Sequence, residues 1–239
     1  MHRVAILAIA AHRDDVELTC GGTLIKSAAQ GHRTAILDLT QGETGTKGSA
    51  AERAEEASRA AEILGVSARE NLRLPDAGIF NNAETRAELV RAIRRFAPQV
   101  VIAPAPGGRH PDHRITAELV RDACFLAGLA KVEPDLPAHR PHKILHCITY
   151  REDHVKPTFV VDISDELERK LAAIACYGSQ FKDAIRAGEV YPNGEPLLDV
   201  VRHQAAHYGT LIRTRYGEPF YTNETMLVRD IVGLEVASQ

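Results

Sequence analysis

The chain has 239 residues and a formal net charge of −3, with 29 Lys and Arg residues against 32 Asp and Glu residues. This length suits one domain with a core large enough to need no disulfides. The balanced charge argues against a nucleic-acid surface, which requires a basic excess. The cysteines lie far apart and form no C-x-x-C pair, so neither a zinc ribbon nor a redox dithiol is expected.

Short apolar runs alternate with amphipathic stretches along the chain. Strands are predicted at residues 4–9, 33–39, 71–74, 100–103, 143–150 and 158–161. Helices are predicted at residues 23–30, 51–64, 83–96, 115–126, 165–176 and 198–213. The polar stretch 178–196, which carries Gly188, Pro192 and Gly194, predicts a mobile loop or lid.

Strands that alternate with helices predict an α/β fold, in which a mostly parallel sheet has helices on both faces. The right-handed crossover rule favours a Rossmann-like strand order of 3-2-1-4. Neither an internal repeat nor a low-complexity segment is present, so we expect residues 1–239 to form a single domain.

Two groups of His and Asp residues follow predicted strands. The first comes directly after the first strand and the second shortly after the fourth, and they read His12-Arg13-Asp14-Asp15 and His110-Pro111-Asp112-His113. In the order 3-2-1-4 the first and fourth strands are neighbours, and ligands bind in the crevice beyond their carboxyl ends. Imidazole and carboxylate groups suit Zn²⁺, which takes three protein ligands plus water in catalytic sites.

Each group alone also has an ordinary structural explanation. A single His-x-x-Asp turn is commonly a hydrogen-bonded loop, and Asp14 or Asp15 could cap a helix. His110 and His113 could be surface residues. Two such groups at adjacent strand ends are harder to explain structurally, and together they favour a metal site.

These motifs resemble those of the PIG-L/LmbE family of zinc-dependent N-deacetylases, which have Ala-His-Pro-Asp-Asp and His-x-Asp-His at these two places. The resemblance runs from residue 4 to about residue 227. It is closest to the branch that deacetylates N-acetylglucosaminyl-malate in bacillithiol biosynthesis. The stretches that indicate this branch include Leu74-Pro75-Asp76, His139-Arg140-Pro141 and Tyr177-Gly178-Ser179-Gln180-Phe181. Arg13 stands where the family has proline, which would fix the φ angle of the turn.

The resemblance implies a role for each residue of the two motifs. His12, Asp15 and His113 would bind Zn²⁺, and Asp14 would be the general base. His110 would donate to the oxyanion as an imidazolium, with Asp112 orienting it and raising its pKa. Either Asp14 or His110 would protonate the leaving amine.

Further candidates lie outside the two motifs. Arg53, Arg109 and Arg140 are candidates to bind substrate oxygens or carboxylates, and the alternative for each is a solvated arginine on the surface or on a helix. Tyr191 resembles a family tyrosine that assists the oxyanion, and its alternative is a hydrophobic contact in the lid. Glu17 and Asp76 are expected to be structural.

The preferred function is therefore zinc-dependent hydrolysis of the N-acetyl group of N-acetylglucosaminyl-malate. The alternatives are a deacetylase or amidase for an inositol conjugate or a chitooligosaccharide, or a silent sugar- or nucleotide-binding module. The absence of a G-x-G-x-x-G fingerprint argues against the last.

We expect a cytoplasmic enzyme with a small amino-sugar substrate and no nucleic-acid or membrane partner, because no run approaches the roughly 20 apolar residues of a membrane span. The resemblance also implies a trimer or hexamer.

Overall fold

A computed structural model describes residues 3–149, 155–181 and 196–236. The strands are β1 (Ile6–Ala10), β2 (Thr34–Thr40), β3 (Ala68–Leu74), β4 (Val100–Pro104), β5 (Lys143–Cys147), β6 (Phe159–Asp162) and β7 (Gly217–Tyr221). The helices are α1 (Asp15–Ala29), α2 (Ala50–Leu64), α3 (Ala83–Phe96), α4 (Pro111–Ala127), α5 (Leu167–Ala175), α6 (Gly178–Phe181) and α7 (Leu197–Leu211). No helix of these ranges is long and apolar enough to cross a membrane.

The strands form a seven-stranded sheet of order β3-β2-β1-β4-β5-β7-β6. The first five strands pair in parallel, whereas β7 runs antiparallel to both β5 and β6. The predicted order 3-2-1-4 and the mostly parallel, Rossmann-like sheet are confirmed.

The alternating side chains of β1 show that helices cover both faces of the sheet. Leu7 and Ile9 pack in one core cluster with residues of α3 and α4. Ala8 and Ala10 point to the opposite face, where they pack with residues of α1, α2 and α5. Both sides of the strand are therefore buried, as expected for a parallel sheet.

Several element boundaries differ from the prediction. Helix α1 begins at Asp15 and contains Gly21 and Gly22, which were expected to precede it, and α4 begins at Pro111, earlier than predicted, because its first turn is polar. Strand β7 was not predicted, since it contains Gly217 and Pro219, which are residue types depleted in strands. The predicted lid begins with the short helix α6, and its residues 182–195 lie outside the described ranges.

A side chain from β7 explains a kink in α1. Cys20 has non-helical angles of φ −131° and ψ 17°. The backbone N–H groups of Gly22 and Thr23 donate to the Glu218 carboxylate at 2.8 and 2.7 Å, and Lys170 donates to it at 2.6 Å. Glu218 therefore caps the second half of α1 in the way that an acidic residue caps a helix N-terminus.

Replacing Glu218 with alanine should lower the free energy of unfolding by about 3–5 kcal/mol, because it leaves the buried ammonium of Lys170 without its partner. Urea denaturation followed by circular dichroism measures this change. As a control, Glu168→Ala breaks the exposed Glu168–Arg202 pair and should shift the midpoint far less. Equal midpoints for Glu218→Ala and the parent would contradict the capping role.

Candidate active site

The two His and Asp groups meet at one edge of the sheet. Strands β1 and β4 are adjacent and parallel, with Ile6 opposite Val100, so the turns that follow them start side by side. His12 lies just after β1, and His113 lies in the first turn of α4, which follows β4. The N-termini of α1 and α4 therefore open onto the same crevice, as expected for a switch point of the sheet.

The three residues expected to bind metal lie within contact of one another. His12 Nδ1 is 3.3 Å from an Asp15 carboxylate oxygen and 3.3 Å from His113 Nε2. The other Asp15 oxygen is 3.1 Å from His113 Nε2. Two ligands of a tetrahedral zinc ion, with bonds of about 2.0–2.1 Å, lie about 3.3 Å apart. The spacing and the chemistry of these three donors thus fit zinc.

Two further carboxylates approach the other side of the His12 ring. Asp76 and Asp112 lie 3.2 and 3.4 Å from His12 Nε2, whereas Nδ1 faces Asp15 and His113. Carboxylates in this position fix the tautomer and the orientation of a metal-binding histidine. His12 also belongs to two other groups of three residues that could hold a metal ion. One group contains His110 and His113, and the other contains Asp76 and Asp112.

The carboxylates around His12 change its pKa, and His12 in turn changes theirs. Burial alone would lower the pKa of His12, but the charge of Asp15 and hydrogen bonds to Asp112, Asp15 and Asp76 raise it to about 12. Burial likewise opposes the ionisation of Asp15, yet the charges of His113 and His12 hold the pKa of Asp15 well below its usual range. The imidazolium thus balances part of the carboxylate charge, and a divalent cation bound at Nδ1 would replace the proton and add a second positive charge.

Asp14 faces the cleft beside the expected ligands. It occupies the N-cap position of α1 and makes no side-chain capping bond there. Its carboxylate lies 3.5 Å from the guanidinium of Arg53. Burial and then the charge of Asp15 raise the pKa of Asp14, while Arg53 opposes that rise. A carboxylate with a raised pKa at the edge of a cleft suits the role of a general base.

His110 and Asp112 differ from the expectation. His110 caps α4 by accepting the backbone N–H of Asp112 at 3.2 Å. The Asp112 carboxylate faces His12 and accepts the backbone N–H of Ala77 at 2.9 Å. Burial, together with the charges of His12 and His113, lowers the pKa of His110 rather than raising it. Asp112 therefore contacts the His12 ring, and although its charge raises the pKa of His110 as expected, burial and the charges of His12 and His113 outweigh that effect.

The three candidate arginines lie in different places. Arg109 is exposed and lines the cleft. Arg53 also lines the cleft, but it is buried and donates to the Gly42 carbonyl at 2.9 Å. Arg140 lies before β5, and its guanidinium sits 4.6 Å over the ring of Phe125. That placement contradicts the prediction for Arg140, because residues that precede a parallel strand lie at the edge opposite the site.

The cleft has a volume of about 450 Å³, within the range of roughly 300–1,000 Å³ that is usual for small-molecule sites. Thr44 lies on its wall and donates from its N–H and hydroxyl to Asp76, at 2.9 and 2.7 Å. Asp76 was expected to be structural, although its place after β3 is comparable to that of His12 after β1 and could have indicated a site residue. Tyr191 lies outside the described residues.

The sequence is similar to known deacetylases along most of its length. Residues 7–124 match the family model described as PIG-L, GlcNAc-PI de-N-acetylase. The diacetylchitobiose deacetylase of Thermococcus kodakarensis is 34% identical, over 89% of this chain and 80% of its own length.

Two solved structures share the fold. The conserved protein TT1542 of Thermus thermophilus superposes with a TM-score of 0.85 and 36% identity, covering 94% of this chain and 97% of its own. The N,N'-diacetylchitobiose deacetylase of Pyrococcus horikoshii, solved with its inhibitor, gives a TM-score of 0.78 and 30% identity, covering 91% and 82%. The chain therefore belongs to the PIG-L de-N-acetylase family and is a hydrolase of N-acetyl amide bonds.

Proposed function

We propose that the protein removes the acetyl group from a small N-acetylglucosaminide with one zinc ion held by His12, Asp15 and His113. The observation that carries this proposal is the spacing of 3.1 to 3.3 Å among their donor atoms, at the edge of an open cleft. The match to the de-N-acetylase family supports the reaction.

The residues around the metal position each have a task in amide hydrolysis. A bound zinc ion supplies Lewis-acid polarisation of the carbonyl and acidification of a water molecule. Asp14 accepts the proton of the water that attacks the amide carbon. Arg53 also lines the cleft, and its guanidinium forms an ion pair with the Asp14 carboxylate at 3.5 Å. The leaving amine takes its proton from Asp14 or from His110, which both line the cleft.

Two substrates are supported by different observations. A chitooligosaccharide such as diacetylchitobiose is the first candidate, because a relative named for that activity is 34% identical over most of both chains. N-acetylglucosaminyl-malate is the second, because the exposed Arg109 could bind a carboxylate with two parallel hydrogen bonds. Malate has two carboxylates, however, and of the three candidate arginines Arg53 is buried and Arg140 lies at the far edge of the sheet.

His12→Ala, Asp15→Ala and His113→Ala should each lose zinc and remain folded, because the two ligands that remain do not complete a catalytic zinc site. Atomic spectroscopy after dialysis measures the metal content, and circular dichroism measures the fold. His139→Ala is a matched control, since His139 bonds to the Pro98 carbonyl at the opposite edge of the sheet. Stoichiometric zinc in all three ligand variants would refute this assignment.

Asp14→Asn should retain zinc and lose about 10²- to 10⁴-fold in kcat, because an amide cannot accept the proton. His110→Ala should also retain zinc, which separates the proposed ligand set from the one that contains His110. Amine release and metal content are measured on the same preparations. Turnover close to normal in Asp14→Asn would rule out Asp14 as the base.

The protein should show a higher kcat/KM for diacetylchitobiose than for N-acetylglucosaminyl-malate. Arg109→Ala should lower kcat/KM for the malate conjugate by about ten- to a hundred-fold, the effect of losing a hydrogen bond to a charged group, and should leave the neutral sugar nearly unchanged. Arg140→Ala is the control and should change neither value. A preference of the parent for the malate conjugate would reverse the order of the two substrates, whereas inactivity on both, with zinc bound, would contradict the sugar-deacetylase proposal.

A further inference from the structure

The turn between His12 and Asp15 is held by two side chains, of which Tyr177 is buried and Arg69 is partly buried. The carbonyl oxygen of Arg13 accepts hydrogen bonds from the guanidinium of Arg69 and from the hydroxyl of Tyr177. Arg69 lies on β3, and Tyr177 lies between α5 and α6 with no exposed surface. Elements from two distant parts of the chain thus converge on one backbone atom beside the cleft.

The guanidinium of Arg69 is fully occupied. An arginine has five N–H donors, and each of them meets an acceptor here. The two oxygens of Asp38 accept at 2.8 and 2.9 Å, Glu17 accepts at 2.6 Å, and the carbonyl of Ala57 accepts at 3.3 Å. The remaining donor reaches the Arg13 carbonyl. The guanidinium is therefore fixed by β2, α1 and α2, and its plane cannot turn without breaking these bonds.

Tyr177 adds a second restraint, which shares its acceptors with Arg69. Its hydroxyl contacts the Arg13 carbonyl and lies 2.9 Å from the same Glu17 oxygen that Arg69 contacts. Glu17 lies in the first turn of α1, shortly after the expected ligand Asp15. The hydroxyl has one proton, so it donates to one of two acceptors, the carbonyl of the turn or the carboxylate on the helix that follows it.

The orientation of one peptide plane links this contact to the metal site. Because the peptide unit is planar, a fixed Arg13 carbonyl fixes the plane that joins Arg13 to Asp14. His12 precedes this plane and Asp15 follows it, and the His12 N–H donates to the Asp15 carboxylate at 2.9 Å. Arg13 has no ring to fix its own φ angle, so the bonds that Arg69 and Tyr177 make to its carbonyl add to those within the turn in setting the orientation of this peptide.

We propose that Arg69 and Tyr177 are positioning residues, which hold the Arg13 carbonyl and thereby set the spacing of the donor atoms of His12 and Asp15. The proposal rests on the zinc site proposed above. It assigns to these two residues an effect on metal affinity and geometry, in addition to their contribution to the stability of the fold.

A buried arginine elsewhere in the fold provides a control. Arg94 has no exposed surface, and its guanidinium donates to backbone carbonyls of Ala127, Leu129, Glu133 and Leu136. These acceptors lie at the end of α4 and beyond it, and none of them lines the cleft. Arg94→Lys therefore disturbs a comparable buried cluster away from the turn.

The test compares Tyr177→Phe, Arg69→Lys and Arg94→Lys with the parent. Zinc affinity, measured by competition with a chelator, should fall about 10- to 100-fold in the first two variants, as when an outer partner of a metal ligand is removed. The visible absorption bands of the cobalt-substituted protein should also change, because they report the geometry of the ligands. Arg94→Lys should lower the melting temperature and keep the parent's zinc affinity and cobalt spectrum.

The outcomes separate this proposal from the zinc site itself. Unchanged zinc affinity in both Tyr177→Phe and Arg69→Lys, when His12→Ala loses zinc, would overturn the positioning role and leave the zinc site intact. An equal loss of affinity in Arg94→Lys would overturn it too, because the effect would then be general instability. Full zinc binding by His12→Ala would overturn the zinc site and the positioning role together.

Discussion

The parallel pairing of β1 with β4 is the interaction on which the site depends. His12 and His113 are 101 positions apart in the chain, yet their ring nitrogens lie 3.3 Å from each other. The sheet makes this contact possible, since each residue follows a strand and the two strands are hydrogen-bonded neighbours. A helix begins after each of these strands at the carboxyl edge of the sheet. The first turns of these helices therefore supply side chains to the crevice. A change that shifted the register of this pair would separate the two halves of the site.

The second constraint is electrostatic. Asp15, Asp76 and Asp112 all lie within 3.4 Å of one imidazole, and buried carboxylates at such distances are stable only when a positive charge lies among them. Without a metal, the proton on His12 supplies that charge, which explains why the pKa of this histidine rises to about 12 despite its burial. The same arrangement favours a divalent cation, because a metal replaces one proton and brings a second positive charge. The geometry that makes the cluster costly to fold is therefore the geometry that makes it suitable for binding metal.

Much of the architecture could be predicted from sequence because two physical rules apply directly. Apolar runs, together with the glycine and proline residues that end elements, predicted six strands and the helices between them. The crossover rule predicted the order of the first four strands. The site residues after β1 and β4 followed from that order. Arg140 was misplaced because a motif says nothing about which end of a strand it adjoins, and its position before β5 puts it at the other edge. Asp76 was missed because a single carboxylate after a strand is common, and only the fold brings it to His12.

Other contacts that could not be predicted join the first and last thirds of the chain. The family model covers residues 7–124, and the His and Asp residues of both motifs lie inside that range. Tyr177 and Glu218 lie outside it, and both act on α1, one through the turn that precedes the helix and the other through the kink at Cys20. A carboxylate that caps a helix from a strand almost two hundred residues away leaves no local pattern in either segment. The C-terminal third thus stabilises α1, the helix that carries Asp15. Strands β7 and β6 continue the sheet past β5 and line no part of the cleft, and this support of α1 gives a physical reason for their presence.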